Sequence, residues 1–422
     1  MVKLSRILKD YQQSGAVNAL VNVHAALDEH TFLTKSGDVM AVLAVQGADY
    51  ECLDAPQIDR IARRFGSALR IFDENFRIYQ YLLKRDGAPI PHRHYINPVV
   101  QEAVTNRVAY LNTKADSLYS LEIYFAVVYE GRRRAGGLHR KLSEFITRLK
   151  AAMCEVLSTE TKTAVLEEGL ERAREALASK VNSFVVHLED SVRVEVLDKE
   201  RAFRFIRRLL NYAPAKADGV RLKYDAFVDF QACDSALECH RDHLRLDDYY
   251  VQVLTLKEPP AQTFAHLLKG LLEIPSNLII ATEWKRETNL KMRKLIQSKR
   301  RHFHNSKTSI VNYLNNTPAA PKDMLVDDAA AALSAELGSC LEELEVRGNY
   351  FGRFSLTVVL YDEDRDRVKR SSSEVFKVFA TQDAHLIEER YNLLNAFLAV
   401  LPGNDAYNLR TLWLLNWGGP QG

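Results

Sequence analysis

The residue types with the most chemical potential cluster at Cys233, Cys239, His240 and His243, whose thiols and imidazoles are the donors zinc prefers. Their spacing, Cys-x5-Cys-His-x2-His, fits no usual Cys-x2-4-Cys arrangement, so two thiols and two surface imidazoles are expected rather than a metal centre. His92 and His94 flank Arg93 behind prolines and read as a short turn. The carboxylates of Asp247-Asp248 and Asp362-Glu-Asp364 fall at strand ends and polar turns, where solvated charge is expected and no partner nucleophile is visible. Phosphate chemistry needs a loop of the form G-x-x-x-x-G-K-[ST], whose amides cradle phosphates and whose hydroxyl binds Mg²⁺. The chain has no such run, and Gly418-Gly-Pro-Gln-Gly422 lacks the lysine. No catalytic, nucleotide-binding or metal residue is therefore assigned, no cofactor is expected, and tight ATP binding or hydrolysis is not expected of this chain.

A second kind of chemistry lies in charge. Between Lys285 and Lys307, nine lysines and arginines face only Glu287, with His302, Phe303 and His304 interleaved. Arg293, Lys294, Arg300 and Arg301 would present such charge on a helix, either to phosphates or an acidic partner or simply to water. The whole chain carries 57 Lys and Arg against 55 Asp and Glu, a net +2, which excludes a globally basic nucleic-acid binder. Five scattered cysteines, Cys52, Cys154, Cys233, Cys239 and Cys340, build no disulfide framework and suit a reducing cytoplasm. No apolar stretch approaches the roughly 18 residues of a membrane span.

The elements that must position these groups follow from periodicity. Thr31 to Thr34 and Val39 to Val45 flank Lys35-Ser-Gly-Asp38, a hairpin turn in which Gly37 supplies positive φ. From Asp54 a helix follows, with Ile58, Ile61, Phe65, Ala68 and Phe72 at three- and four-residue steps. Strands are expected at Phe76 to Leu83 and Leu121 to Val128, with a helix from Asn97-Pro98 between them. From Thr159 to His187, Leu166, Leu170, Ala173, Leu177, Val181 and Phe184 make nearly a heptad seam, expected to pack along another helix. The second half repeats the order: strand Tyr249 to Leu256, a helix with Phe264, Leu267, Leu268 and Leu271, strand Leu278 to Trp284, a helical excursion over about 286–350, and strand Phe354 to Leu360. The fold class is α+β: two lobes of mixed or antiparallel sheet backed by helices and joined by long helices. The expected divisions are an N-terminal lobe at 1–131, a helical connector at 132–189 opening on Arg132-Arg-Arg-Ala-Gly-Gly, a second lobe at 190–400 with its insertion near 286–350, and a joint at 401–422.

That joint centres on Leu401-Pro402-Gly403-Asn404. A helix carrying Leu393, Leu394, Phe397 and Leu398 must stop before Pro402, Gly403 can adopt positive φ, and Asn404 can bond nearby backbone, so the chain turns sharply. The following segment, Leu409 to Trp417, is apolar enough to pack on a neighbouring domain, leaving Trp413 and Trp417 partly exposed where that domain is missing.

In the order Thr34-Lys-Ser-Gly37, Val45-Gln-Gly47, then Leu401-Pro-Gly-Asn404, Asn408-Leu-Arg410 and Leu414-Leu-Asn416, the chain resembles the N-terminal and central region of the TrbE/CagE/VirB-type conjugative-transfer ATPases of type IV secretion systems. The resemblance implies a module that docks a motor to inner-membrane components and joins in assembly of motor subunits, homo-oligomers included. It implies a cytoplasmic location, peripheral at the bacterial inner membrane. ATP and Mg²⁺ would belong only to a motor domain lying downstream of the Leu-Pro-Gly-Asn segment. Single-stranded nucleic-acid binding through the 285–307 segment is the alternative function.

Overall fold

The long alternating segments form strands and most of the three-four segments form helices in the computed structural model, which describes residues 17–47, 53–86, 90–114, 118–131, 159–260, 267–306, 328–346 and 348–416. The strands are β1 Val23–Ala26, β2 Thr31–Thr34, β3 Val39–Val45, β4 Phe76–Arg85, β5 Ser120–Tyr129, β6 Val194–Val196, β7 Leu237–Cys239, β8 Leu244–Leu246, β9 Tyr249–Glu258, β10 Asn277–Arg286, β11 Phe351–Asp362, β12 His385–Glu388 and β13 Leu412–Leu415. The longer helices are α1 Ala55–Leu69, α2 Pro98–Asn112, α3 Thr159–Leu188, α4 Lys199–Leu210, α5 Asn289–Ser306, α6 Asp328–Glu345, α7 Arg365–Ala380 and α8 Leu393–Ala399.

Local signals behave as their chemistry requires. Gly37 sits at φ +83° in the β2–β3 turn, and the hairpin register pairs Phe32 with Met40. Asp54 caps α1 by accepting from the Gln57 amide while the Gln57 side chain answers the Asp54 N–H, a complete capping box. Asn97 caps α2, with Pro98 in its first turn.

The chain divides into two compact units, 1–284 with 354–412, and 285–353 with 413–422. In the first, the sheet runs β1-β2-β3-β5-β4-β10-β11-β9-β8-β7. The first repeat thus contributes β3-β5-β4 and the second, in mirrored order, β10-β11-β9; in both, the third strand lies between the other two. The halves meet where β4 pairs antiparallel with β10, Leu82 opposite Ile280. The expected α+β class is thus observed, with the strands of both expected lobes in one sheet.

The two faces of that sheet are covered differently. One is a shared core in which Met40, Tyr81, Ala126, Val253 and Val359 lie under Phe203 and Phe205 of α4 and Phe397 of α8. On the other, each half has its own core: α1 and α3 over Val39, Ile78 and Val127, and α7 over Leu254, Val358 and Leu360. The expectation that α3 packs along another helix holds for α1, and the sheet adds a second partner. Its seam of Ala173, Leu177, Val181 and Phe184 is buried against the sheet as well as α1, the Phe184 ring standing 5.3 Å from Phe72 and 5.9 Å from Phe125. A three-four stripe fits a sheet face as readily as a helix groove, and here it meets both. Between β9 and β10 only Lys269–Glu273 is helical among the described residues; Phe264 and the Arg132 to Gly137 run lie outside them.

The expected insertion near 286–350 falls within the second unit (285–353 with 413–422), where α5 and α6 bury Met292, Ile296 and Leu344 with Phe351. The compact units divide there rather than at 131, 189 or 400. No helix among the described residues is long and apolar enough to cross a membrane.

Candidate functional site

Leaving α8, the chain runs along the shared core as a strap whose polar side chains Asn404, Asp405, Asn408 and Arg410 all find partners. Tyr81 Oη donates to the Val400 carbonyl at 2.8 Å, and Leu401, Pro402, Gly403 and Asn404 are all buried. Gly403 turns the chain at φ +81°. A Cβ at that position would stand 3.3 Å from Thr34 Cγ2 and 3.4 Å from Asn22 Nδ2. Glycine is required twice over, by conformation and by space.

Asn22 is the centre of the clamp. Its backbone N–H donates to Asn404 Oδ1 at 2.9 Å, and its Nδ2 donates to the Gly403 carbonyl at 2.6 Å. The same side chain reaches the hairpin turn, donating to Ser36 Oγ at 3.0 Å and accepting from the Ser36 amide at 3.2 Å. Asn404 Nδ2 in turn donates to the Leu20 carbonyl at 2.8 Å. Thr34-Lys-Ser-Gly37 and Leu401-Pro-Gly-Asn404, far apart in sequence, are thus in one hydrogen-bonded knot.

Beyond it lies a buried charge cluster. Arg77 donates to Glu130 at 2.5 Å, to Asp405 at 2.9 Å and to Glu283. Burial disfavours the guanidinium charge, but the carboxylates, Glu283 foremost, hold its pKa well above the usual arginine value. Complete burial raises the Glu283 carboxyl above its ordinary value, although Arg77 and the Asn408 amide pull it down. Asn408 Nδ2 donates to Glu283 Oε2 and to Ser355 Oγ, each at 2.7 Å. Arg410 pairs with Glu389, which also accepts from Thr255 Oγ1 at 2.5 Å. The strap therefore ties the N-terminal hairpin, β4, β10, β11 and β9 to one another.

Within the second unit, the Asn416 amide donates to the Tyr350 carbonyl at 2.8 Å, and Arg353 lies 5.2 Å from the ring centre of Trp413, which is 39% exposed. Trp417 lies outside the described residues. Arg293, Lys294, Arg300 and Arg301 are all exposed on α5. The counter-charge is greater than sequence suggested: Arg293 Nε pairs with Glu345 at 2.8 Å and Lys291 with Glu287 at 2.5 Å. The stripe of Lys294 and Arg301 still faces water. Elsewhere, His240 and His243 stack on each other at 4.5 Å, and no three His, Cys, Asp or Glu side chains among the described residues are grouped to hold a metal.

Sequence reasoning missed Asn22, Arg77, Glu130 and Glu283. A charged residue inside an apolar alternating strand, as Arg77 and Glu283 are, was the available signal, since buried charges must be paired. Asn22 carried none.

Residues 30–136 match the family described as type IV secretion system ATPase VirB4/TrbE, N-terminal domain. Residues 317–410 match the CagE, TrbE, VirB family, component of type IV transporter system. A type IV secretion system protein virB4 of Bartonella quintana (strain Toulouse) is 18% identical over 389 residues, covering 91% of this chain and 46% of that protein. The chain thus spans about half the length of this relative. Two stretches of the chain are thus similar to VirB4/TrbE-type type IV secretion proteins, in agreement with the resemblance read from its residues.

Proposed function

We propose that this chain is a non-catalytic N-terminal and central module of a type IV secretion ATPase. It docks the motor to inner-membrane components and supports assembly of motor subunits at the cytoplasmic side of the bacterial inner membrane. ATP and Mg²⁺ are handled by a nucleotide cassette following a Leu-Pro-Gly-Asn segment of this kind. One observation carries the reading: the two stretches matched to the family, 30–136 and 317–410, are joined directly by the buried Arg77–Asp405 pair. Leu401 to Asn404 then act as the anchored side of an interdomain joint, with Trp413 as the near side of its exposed surface.

Equilibrium binding with a fluorescent ATP analogue tests the division of labour. The expected result is no saturable Mg²⁺-dependent binding; micromolar saturable binding would overturn it. Docking is tested by co-purification with detergent-solubilised inner-membrane secretion components, where no retention would count against it. The exposed Lys294 and Arg301 keep single-stranded nucleic-acid binding as a second reading. It requires binding to an oligonucleotide that weakens steeply with salt and is lost when these side chains are neutralised.

A further inference from the structure

Helix α2 is only partly covered by its own unit, through the half-buried Gln101, Val104, Val108 and Leu111. None of its residues is buried, Val99 is 74% and Tyr110 50% exposed, and Ile96 just ahead of it is fully exposed. Only Glu102 and Arg107 are charged in its 15 residues, and apolar side chains point in every direction. That composition belongs to a helix enclosed on all sides. A lone helix of this length is marginal in water, so its stability must come from packing. In the second half of the sheet, the corresponding excursion carries two helices that bury Met292, Ile296 and Leu344 between them. The first-half excursion carries α2 alone among the described residues.

The exposed side of α2 has a register. Val99, Ala103, Asn106 and Tyr110 follow one another at steps of four, three and four, and all are exposed, which makes them d, a, d and a of a heptad. Glu102 is then a g position and Arg107 the e position of the next heptad. In a parallel two-stranded coil those positions face each other across the seam, so each Glu102 meets the other chain's Arg107. An antiparallel pair would instead oppose glutamate to glutamate and arginine to arginine.

We infer that α2 is a self-association surface on which a second copy of this chain packs its own α2 in parallel. Val99, Ala103 and Tyr110 fill the seam, and two Glu102–Arg107 pairs set the direction. The contact is isologous and closes at two copies. Asn106, a polar group at a d position of the seam, lowers its strength. A lipid surface fits less well, because an interfacial helix carries several lysines and arginines on its polar face and α2 has one arginine. The inference deepens the assembly reading above, and rests on it only in requiring more than one copy.

Sedimentation equilibrium of the whole chain across about 5 to 200 µM, the range suited to a small contact, tests it. The expected result is a concentration-dependent dimer, weakened at least about tenfold by Glu102→Arg or Arg107→Glu and recovered in the E102R/R107E double variant. Val99→Lys should abolish it without needing charge pairing. These side chains are exposed, so unchanged melting curves verify that the variants fold. A chain that is monomeric throughout, a dimer indifferent to the single reversals, or a monomer that binds anionic vesicles through α2 would each overturn the contact. Co-purification with inner-membrane components by a monomeric chain would do so while leaving the docking reading intact.

Discussion

The strap at 401–410 and the basic helix α5 both drew notice by composition, yet the fold treats them in opposite ways. In the strap, Asn404 is buried, Asp405, Asn408 and Arg410 are half-buried, and each is matched by donors or acceptors far away in sequence; in α5, Arg293, Lys294, Arg300 and Arg301 stand exposed. A polar group matters to stability in proportion to what its partner loses without it. The strap should therefore be intolerant of conservative changes, while α5 should accept drastic ones.

The largest effect is expected at Arg77. Replacing it with Met leaves Glu130, Glu283 and Asp405 close together in the interior, at a cost of about 3–5 kcal/mol by chemical denaturation. Asn404→Ala orphans the Leu20 carbonyl and the Asn22 amide and should cost about 2–4 kcal/mol. Gly403→Ala, which meets both a positive φ and Thr34, should cost about 1–3 kcal/mol. Loss of less than about 0.5 kcal/mol in any of these would make the strap a surface feature.

Acidity sharpens the comparison. Because the folded chain holds the Glu283 proton more tightly than the unfolded chain, this group's stabilising contribution is complete below its unfolded value near 4.5 and is lost as pH rises through its higher folded value. Glu283→Gln cannot titrate, so the difference in stability between wild type and variant should change over that interval and be flat outside it. A difference independent of pH would mean that Glu283 titrates normally. At the small end, alanine at Arg293, Arg300 and Arg301 should each shift stability by no more than about 0.5 kcal/mol, Arg293 the most because it holds Glu345. A melting temperature lowered by several degrees would place them in a core.

Much of the fold was legible because strands and helices announce themselves through period. The cap at Asp54, the positive-φ glycines at 37 and 403, and the halt of α8 before Pro402 all followed from local chemistry. The repeat was visible as an order of elements, but its consequence, two triplets sharing one sheet through β4 and β10, depends on pairing between strands some 200 positions apart. No local pattern encodes that. The strap shows the same division. Pro402 and Gly403 foretold a turn, whereas what the turn fastens to depended on Asn22 and Arg77, ordinary residues until the topology brings them there. The side chains of α5 were placed correctly as a charged helix, but Glu345 lies on another helix and could not be counted against them.

The central claim is that the Leu-Pro-Gly-Asn segment is clamped to the N-terminal hairpin through Asn22. A double-mutant cycle on Asn22→Ala and Asn404→Ala measures that clamp directly, with stability read by denaturant unfolding. The account predicts a coupling energy of about 1 kcal/mol or more, since either change alone breaks the same knot. Costs that add to within about 0.3–0.5 kcal/mol would show the two residues acting independently and would contradict it.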